Sequence, residues 1–206
     1  KEVPENFSHW KEQDLLALSS SLRKLSKPMI IAANKSDLPT SESNIKRLKE
    51  KFKNLAIIPC SGDAELALRE AVKKDVIDYI PGDSAFEIKG NPTEQQKKAL
   101  TFIQEKVLNV WGSTGVQQVL NSAVLDLLQY IAIFPGGINK LTDQYGNVLP
   151  DCFLLPRNST ALDFANKIHT DLGKNFVKAI DVKTKKVVGK DHVLNHRDVI
   201  EIVTKK

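Results

Sequence analysis

The chain has 206 residues, 41% of them hydrophobic, and a formal net charge of +5. This is enough apolar material for a real core in one large or two small domains, and no apolar run is long enough to span a bilayer. The two cysteines, Cys60 and Cys152, lie far apart and the histidines are scattered, which excludes a disulfide framework and a zinc-type cluster. Reduced thiols in a cytoplasmic protein are therefore expected.

The first part of the chain predicts alternating helices and strands. Leucines at helical spacing predict a helix from His9 to Leu25, and the unbroken apolar run Met29–Ala33 predicts a strand buried on both faces of a parallel sheet. A helix over Ser41–Phe52 and a second buried strand over Leu55–Pro59 follow. This alternation is typical of a doubly wound α/β sheet, which binds ligands at the carboxyl ends of its strands.

The middle of the chain predicts three helices. The first runs from Ala64 to Ile80 and ends in the turn Pro81–Ser84. The second is capped by Thr93, with Gln96 completing a capping box, and is ended by Gly112. The third covers Gly115–Leu128, and its apolar face is expected to point inward.

The last third changes to a strand-rich pattern. Tyr130–Pro135 and Cys152–Pro156 predict strands, and Thr160 caps a helix that reaches about Leu172 and is ended by Gly173. Three short strands follow, in the segments FVKAID, KKVVG and DVIEIV. The order β-β-α-β-β-β is that of a small α+β domain.

The segment Asn34-Lys35-Ser36-Asp37 lies where the first predicted strand ends. A carboxylate there can accept the adjacent N1–H and 2-amino donors of guanine, and adenine cannot offer that pair. The Lys35 stem can lie across the flat face of the base, and the Asn34 amide can tie the neighbouring loops together. The alternative is a plain turn after the strand, because Asn and Asp are also common turn residues.

The second strand ends in Cys60-Ser61-Gly62-Asp63, about twenty residues further on. Small residues at Ser61 and Gly62 would allow backbone N–H groups to approach the guanine O6. The two loops together predict a guanine-binding site formed by Asn34, Lys35, Asp37, Ser61 and Gly62.

These loops resemble those of the P-loop GTPases. ANKSDLP is similar to their base-specificity motif, PCSGDAE to their second base loop, which usually reads Ser-Ala, and Ser113–Leu128 to the last helix of their domain. The tail, with FPGG, LPRNSTALDFANKIHTDLG and VLNHRDVIEIV, resembles a TGS domain. The combination resembles the Obg-related YchF/Ygr210 group. One branch of that group binds ATP and lacks the final Asp, so Asp37 favours GTP or GDP.

This resemblance implies the C-terminal part of a doubly wound P-loop GTPase domain with a helical insertion, followed by an α+β ubiquitin-like β-grasp (TGS) domain. The implied boundaries are 1–63 for the base-binding part, 64–112 for the insertion, 113–129 for the final GTPase helix and 130–206 for TGS. No GxxxxGK[ST] run occurs in the sequence, so the P-loop and the Mg²⁺ ligands are expected upstream, in a longer parent GTPase. The 206-residue chain alone is expected to hydrolyse no GTP in a turnover assay.

The resemblance to TGS domains also implies an RNA or ribosomal partner. Residues 131–206 hold 12 basic against 8 acidic side chains, which is compatible with nucleic acid but does not demand it. Candidate RNA contacts are His169, Lys174, Lys178, Lys186 and Arg197. Two alternatives remain open at this point. One is a TGS module that binds RNA or ribosome and no nucleotide, and the other, weaker, is an accessory region of an aminoacyl-tRNA synthetase.

Overall fold

The computed structural model describes residues 7–205, which form two compact units that divide between Ala123 and Val124. Residues 1–6 of the first predicted segment and residue 206 of the last lie outside the described range. The helices are α1 Glu12–Ser26, α2 Ser41–Lys51, α3 Gly62–Lys73, α4 Glu94–Ile103, α5 Asn109–Trp111, α6 Val116–Asn121, α7 Ala161–Ile168 and α8 Thr170–Lys174. The strands are β1 Ile31–Ala33, β2 Ile57–Pro59, β3 Ile77–Asp78, β4 Glu87–Ile88, β5 Tyr130–Pro135, β6 Phe153–Pro156, β7 Phe176–Asp181, β8 Lys186–Val188 and β9 Val199–Thr204.

The first unit begins with the predicted helix–strand alternation. β1 and β2 pair in parallel, with Ile31 opposite Ile57 and Ala33 opposite Pro59. The expectation that β1 is buried on both faces is wrong, because Ala32 is exposed and Ile31 and Ala33 are only partly buried. The leucines of α1 are exposed as well, and Leu25 keeps 82% of its accessible surface.

The predicted helix from Ala64 to Ile80 is too long. α3 ends at Lys73, and Asp75 adopts a left-handed φ of 55° that turns the chain away from the helix. Ile77 then enters β3, which pairs antiparallel with β4 and places the Ile77 side chain in the core. The segment predicted as a helical insertion therefore contains a short β-hairpin, because burying Ile77 in the core competes with continuing the helix.

The core of the first unit lies between α3, the hairpin and α4. Its members are Ala64, Leu68, Val76, Ile77, Tyr79, Leu100, Ile103, Val107 and Leu108. The predicted capping box at Thr93 is confirmed: the Gln96 N–H donates to the Thr93 hydroxyl, and the Thr93 N–H donates to the Gln96 amide oxygen. The helix continues through a π-helical turn, Gln104–Leu108, into α5, and Gly112 ends it at a φ of 78° as predicted.

The third predicted helix begins later than expected. Gly115 lies outside it with a φ of 78°, and α6 is followed by a π-helical stretch, Ser122–Leu127. Leu120 belongs to the apolar face that was expected to point inward, but it keeps 52% of its surface exposed.

The second unit contains one five-stranded sheet in the order β6-β5-β9-β7-β8. β5 pairs with β9 in parallel and the other neighbours are antiparallel. Phe164 of α7 is completely buried on this sheet and meets Phe153 edge-to-face at 5.9 Å between ring centroids. The predicted β-β-α-β-β-β order is confirmed.

The helix of the second unit differs from its prediction in one detail. It breaks at His169, whose extended backbone lets its Nδ1 accept the Asp171 N–H at 3.2 Å, and a short α8 follows. Gly173 lies inside α8 and does not end the first helix. A Cβ on Gly173 would lie 1.8 Å from Asn166 Oδ1, so close packing against Asn166 explains the glycine.

Candidate functional site

The two predicted base loops leave the same edge of the parallel strand pair. The Cys60 N–H donates to the Ala33 carbonyl, and the Ser36 N–H donates to the Cys60 carbonyl, both at 3.0 Å. These bonds extend the pairing of β1 and β2 beyond the strand ends. They hold residues 34–37 against residues 60–62.

Asn34 joins the two loops through one side-chain oxygen. Its Oδ1 accepts the Lys35 N–H at 2.8 Å and the Gly62 N–H at 3.0 Å, as the role predicted for the amide requires. Lys35 adopts a φ of 64°, a left-handed conformation that costs roughly 1–3 kcal/mol at a non-glycine residue. The hydrogen bond to Asn34 helps to hold Lys35 in that conformation.

Asp37 is partly exposed and is fixed by one neighbour. The Ser61 hydroxyl donates to Asp37 Oδ1 at 2.9 Å and also accepts the Ala64 N–H at 3.4 Å. No donor among residues 7–205 bonds to Asp37 Oδ2. The carboxylate therefore keeps a free oxygen and further lone pairs for two adjacent donors.

A cavity of about 230 Å³ lies beside this carboxylate. Asp37, Ser61 and Asp63 form its polar wall, and α4 supplies much of its apolar wall through Phe102. The remaining lining residues are Ala64, Ala99, Ile103 and Val107. Asn34 and Lys35 are not among the lining residues. The cavity is smaller than the roughly 300–1,000 Å³ of most small-molecule pockets, but like them it combines a mostly apolar lining with a few convergent polar groups.

The N–H groups of the second loop are already bonded within the chain. The Ser61 N–H donates to the Thr114 carbonyl at 2.8 Å, and the Gly62 N–H donates to Asn34 Oδ1. A contact from either N–H to a guanine O6, as the sequence suggested, would require an exchange of partners.

Sequence reasoning missed a buried carboxylate behind the second loop. Glu65 is 5% exposed, and its Oε2 accepts the Thr114 hydroxyl at 2.6 Å and the Tyr79 hydroxyl at 3.0 Å. Arg69 donates to its other oxygen at 2.6 Å. Burial raises the pKa of Glu65, but the three donors outweigh it and hold the pKa below its ordinary value. The signal available in the sequence was a Glu between apolar residues one turn into a helix.

Trp111 lies against the first loop. Its indole N–H donates to the Ser36 carbonyl at 3.1 Å, and the Ser41 hydroxyl donates to the same oxygen at 2.7 Å. The end of α5 is therefore attached to the segment 34–37.

The five candidate RNA contacts of the second unit are all exposed. Lys178 and Lys186 lie on opposite faces of the sheet, because Lys186 pairs with Asp181, three residues from Lys178 on β7. His169 caps α8 by accepting the Asp171 N–H with its Nδ1. Arg197 has a left-handed φ of 69°. The structure does not gather these five residues on one face.

Within residues 7–205 no three His, Cys, Asp or Glu side chains are grouped to hold a metal ion. No helix in the same range has the length and apolar character needed to cross a membrane.

The fold and the paired loops are those of an α/β nucleotide-binding protein. Residues 32–136 match the family described as Obg-like GTPase YGR210-like, G4 motif-containing domain, and residues 142–204 match the TGS domain. The chain therefore belongs to the YGR210-like group of Obg-like GTPases. The fold class predicted from the sequence is confirmed.

Similarity to individual proteins supports this assignment to the family. An uncharacterized GTP-binding protein of Methanocaldococcus jannaschii is 46% identical over 99% of this chain and 52% of its own length. The crystal structure of a GTP binding protein from Pyrococcus horikoshii is 44% identical, with a TM-score of 0.67 over 98% of this chain and 53% of that one. The Schizosaccharomyces pombe YchF GTPase, 16% identical with a TM-score of 0.51, shares the fold. The chain spans about half the length of these relatives.

Proposed function

We propose that residues 34–37 and 60–62 bind the base of GTP or GDP in the whole protein that contains this chain. The observation that carries the proposal is the Asp37 carboxylate, which borders a cavity with one oxygen held by Ser61 and the other without a donor among residues 7–205. Membership of a GTP-binding family supports it.

Each residue has a separate role in this proposal. Asp37 accepts the N1–H and the 2-amino group of guanine, and adenine would leave a charged acceptor unpaired. Lys35 lays its aliphatic stem on the base, and Asn34 holds the two loops together through the Lys35 and Gly62 N–H groups. Ser61 orients the carboxylate, and Gly62 lets the backbone come close to the base.

The activity proposed for the whole protein is hydrolysis of GTP to GDP and phosphate. That reaction needs a phosphate-binding loop and Mg²⁺, and we place both outside these residues, since no GxxxxGK[ST] run occurs among them. This chain supplies the specificity for guanine.

We also propose that the protein works in the cytoplasm.

RNA or ribosome binding through the TGS domain is a second proposal. It is favoured by the basic excess of residues 131–206, which hold 12 basic against 8 acidic side chains. His169, Lys174, Lys178, Lys186 and Arg197 are exposed and available for contacts with phosphates. The separation of Lys178 and Lys186 on two sheet faces favours a partner that reaches only some of the five.

The test of the guanine proposal is the variant Asp37→Asn in the full-length protein, titrated with GTP and with xanthosine triphosphate. An amide at position 37 donates to the 2-oxo group of xanthine, whereas it faces the 2-amino group of guanine with a donor. We expect the preference for GTP over xanthosine triphosphate to fall by about 10- to 100-fold, the equivalent of one charged hydrogen bond.

The matched control is Asp78→Asn, which makes the same chemical change in β3, where Asp78 pairs with Lys89 on the surface at 2.9 Å. It should keep the nucleotide preference of the parent protein. The guanine proposal fails if Asp37→Asn also keeps that preference.

A further inference from the structure

A continuous hydrogen-bonded path leads from the buried Glu65 to the carboxylate that faces the cavity. Glu65 Oε2 accepts the Thr114 hydroxyl at 2.6 Å, and the Thr114 carbonyl accepts the Ser61 N–H at 2.8 Å. The Ser61 hydroxyl then donates to Asp37 Oδ1 at 2.9 Å. Every link of this path is a direct contact between named atoms of the first unit.

We propose that Glu65 is a positioning residue for base recognition and acts on Asp37 through Thr114 and Ser61. This inference rests on the proposed function, because it assigns the residues that hold the base-reading carboxylate in place. Glu65 itself does not line the cavity beside Asp37. Its effect on a bound base is therefore indirect.

The residues of this path are packed so closely that a displacement of Thr114 also displaces Ser61. Thr114 is completely buried and Ser61 is 1% exposed. The Ser61 hydroxyl is held from two sides, by its bond to Asp37 Oδ1 and by the Ala64 N–H. Gly115 presses the turn directly onto the end of β2, with room for no Cβ beside the Pro59 carbonyl. A shift of Thr114 must therefore move the backbone that carries Ser61.

The chemistry of Glu65 also fits an anchoring role. A buried carboxylate is tolerated when donors satisfy it, and Glu65 has donors from three separate segments, namely Arg69 in α3, Tyr79 after β3 and Thr114 in the turn before α6. It fixes the turn at Thr114 relative to both α3 and the hairpin. An apolar side chain of similar volume would fill the space but would leave the Thr114 hydroxyl without its acceptor.

A positioning role and a purely structural role predict different results. Guanine offers Asp37 two donors, whereas hypoxanthine, which lacks the 2-amino group, offers one. A misplaced Asp37 should lose more affinity for GTP than for inosine triphosphate, because two simultaneous hydrogen bonds need better alignment than one. Simple destabilisation of the fold lowers the affinity for both nucleotides by the same factor.

The experiment measures the dissociation constants of GTP and inosine triphosphate for the full-length protein and three variants. Thr114→Val removes the hydroxyl with little change of shape, and Ser61→Ala breaks the last link. Glu65→Gln removes the charge and turns one of the two acceptor oxygens into a donor, so that the donors around it can no longer all be satisfied. We expect each variant to lower the GTP preference about three- to tenfold, within the range of one lost hydrogen bond. Thermal unfolding shows which variants are folded. If Glu65→Gln does not fold, the test is decided by Thr114→Val, which is the mildest change.

The control is Glu70→Gln, the same substitution on the same helix at a carboxylate that pairs with Lys73 at the surface. It should keep the preference unchanged. If Ser61→Ala lowers the preference and Thr114→Val does not, the path ends at Ser61 and the role of Glu65 is refuted. Equal losses for both nucleotides also refute it. If the unsubstituted protein does not prefer GTP, the proposed function itself has failed.

Discussion

At the scale of single residues, Gly112 and Gly115 form a natural comparison. Both have a φ of +78°, and both flank the turn that carries Ser113 and Thr114. A Cβ on Gly115 would lie 1.9 Å from the Pro59 carbonyl oxygen and 2.9 Å from the Cys60 Cα, whereas a Cβ on Gly112 would meet nothing within 4 Å. The same left-handed backbone conformation therefore occurs once with close neighbours around the Cα and once without.

We expect Gly112→Ala to lower the free energy of unfolding by about 1–2 kcal/mol, the cost of a left-handed non-glycine residue. Gly115→Ala adds overpacking against β2 and should cost about 2–5 kcal/mol in total. Urea unfolding of the two variants measures the difference. Equal losses would contradict the close packing of the turn on Pro59.

The sequence predicted the loops of the site better than their support. Asn34 and Asp37 could be recognised because a strand-end position and a local motif define them. Glu65 and Thr114 are 49 residues apart, and their contact depends on how the hairpin and α4 fold between them. A pattern of neighbouring residues contains no information on such a long-range pair.

At the scale of elements, the cap of α4 bears on the site, because α4 supplies Phe102 and Ile103 to the cavity wall. The variant Thr93→Ala removes the side-chain partner of the Gln96 N–H and should lower the free energy of unfolding by about 1 kcal/mol. Circular dichroism during urea unfolding measures this loss. Thr101→Ala, an exposed position within the same helix, should cost nothing, since Ala is the better helix former. A similar loss in both variants would argue against the cap.

Element types were predicted well where the signal is local. Both threonine capping boxes, at Thr93 and Thr160, are present, because the residues that form them are three apart. The hairpin of β3 and β4 is not evident in the sequence, since each strand has only two residues, too few for an alternating pattern to show. The break at His169 was missed because it depends on the backbone conformation of one residue and on a cap that His seldom provides.

At the scale of the whole molecule, each of the two units has a core of its own. Phe164 is the largest completely buried side chain of the chain's described part, and it belongs to the core of the second unit. Phe164→Ala should lower the stability of that unit by about 3–5 kcal/mol through loss of burial and creation of a cavity. The division into units predicts that the effect is local.

Hydrogen exchange followed by mass spectrometry tests this locality. Amides in residues 124–206 should lose protection in Phe164→Ala, while those of β1, β2 and α3 keep theirs. Val177→Ala, at a half-exposed position of β7, should leave both units protected. A loss of protection spread equally over both units would show that they unfold as one.

The attachment of Trp111 to the Ser36 carbonyl gives the molecule an internal optical reporter. The indole is one of two in the chain, and its N–H bonds directly to the segment that contains Lys35 and Asp37. Any ligand that reorients this segment changes the polarity and hydrogen bonding around the ring, and so its fluorescence emission. Unlabelled nucleotides can then be compared by intrinsic fluorescence, with Trp10→Phe removing the second emitter.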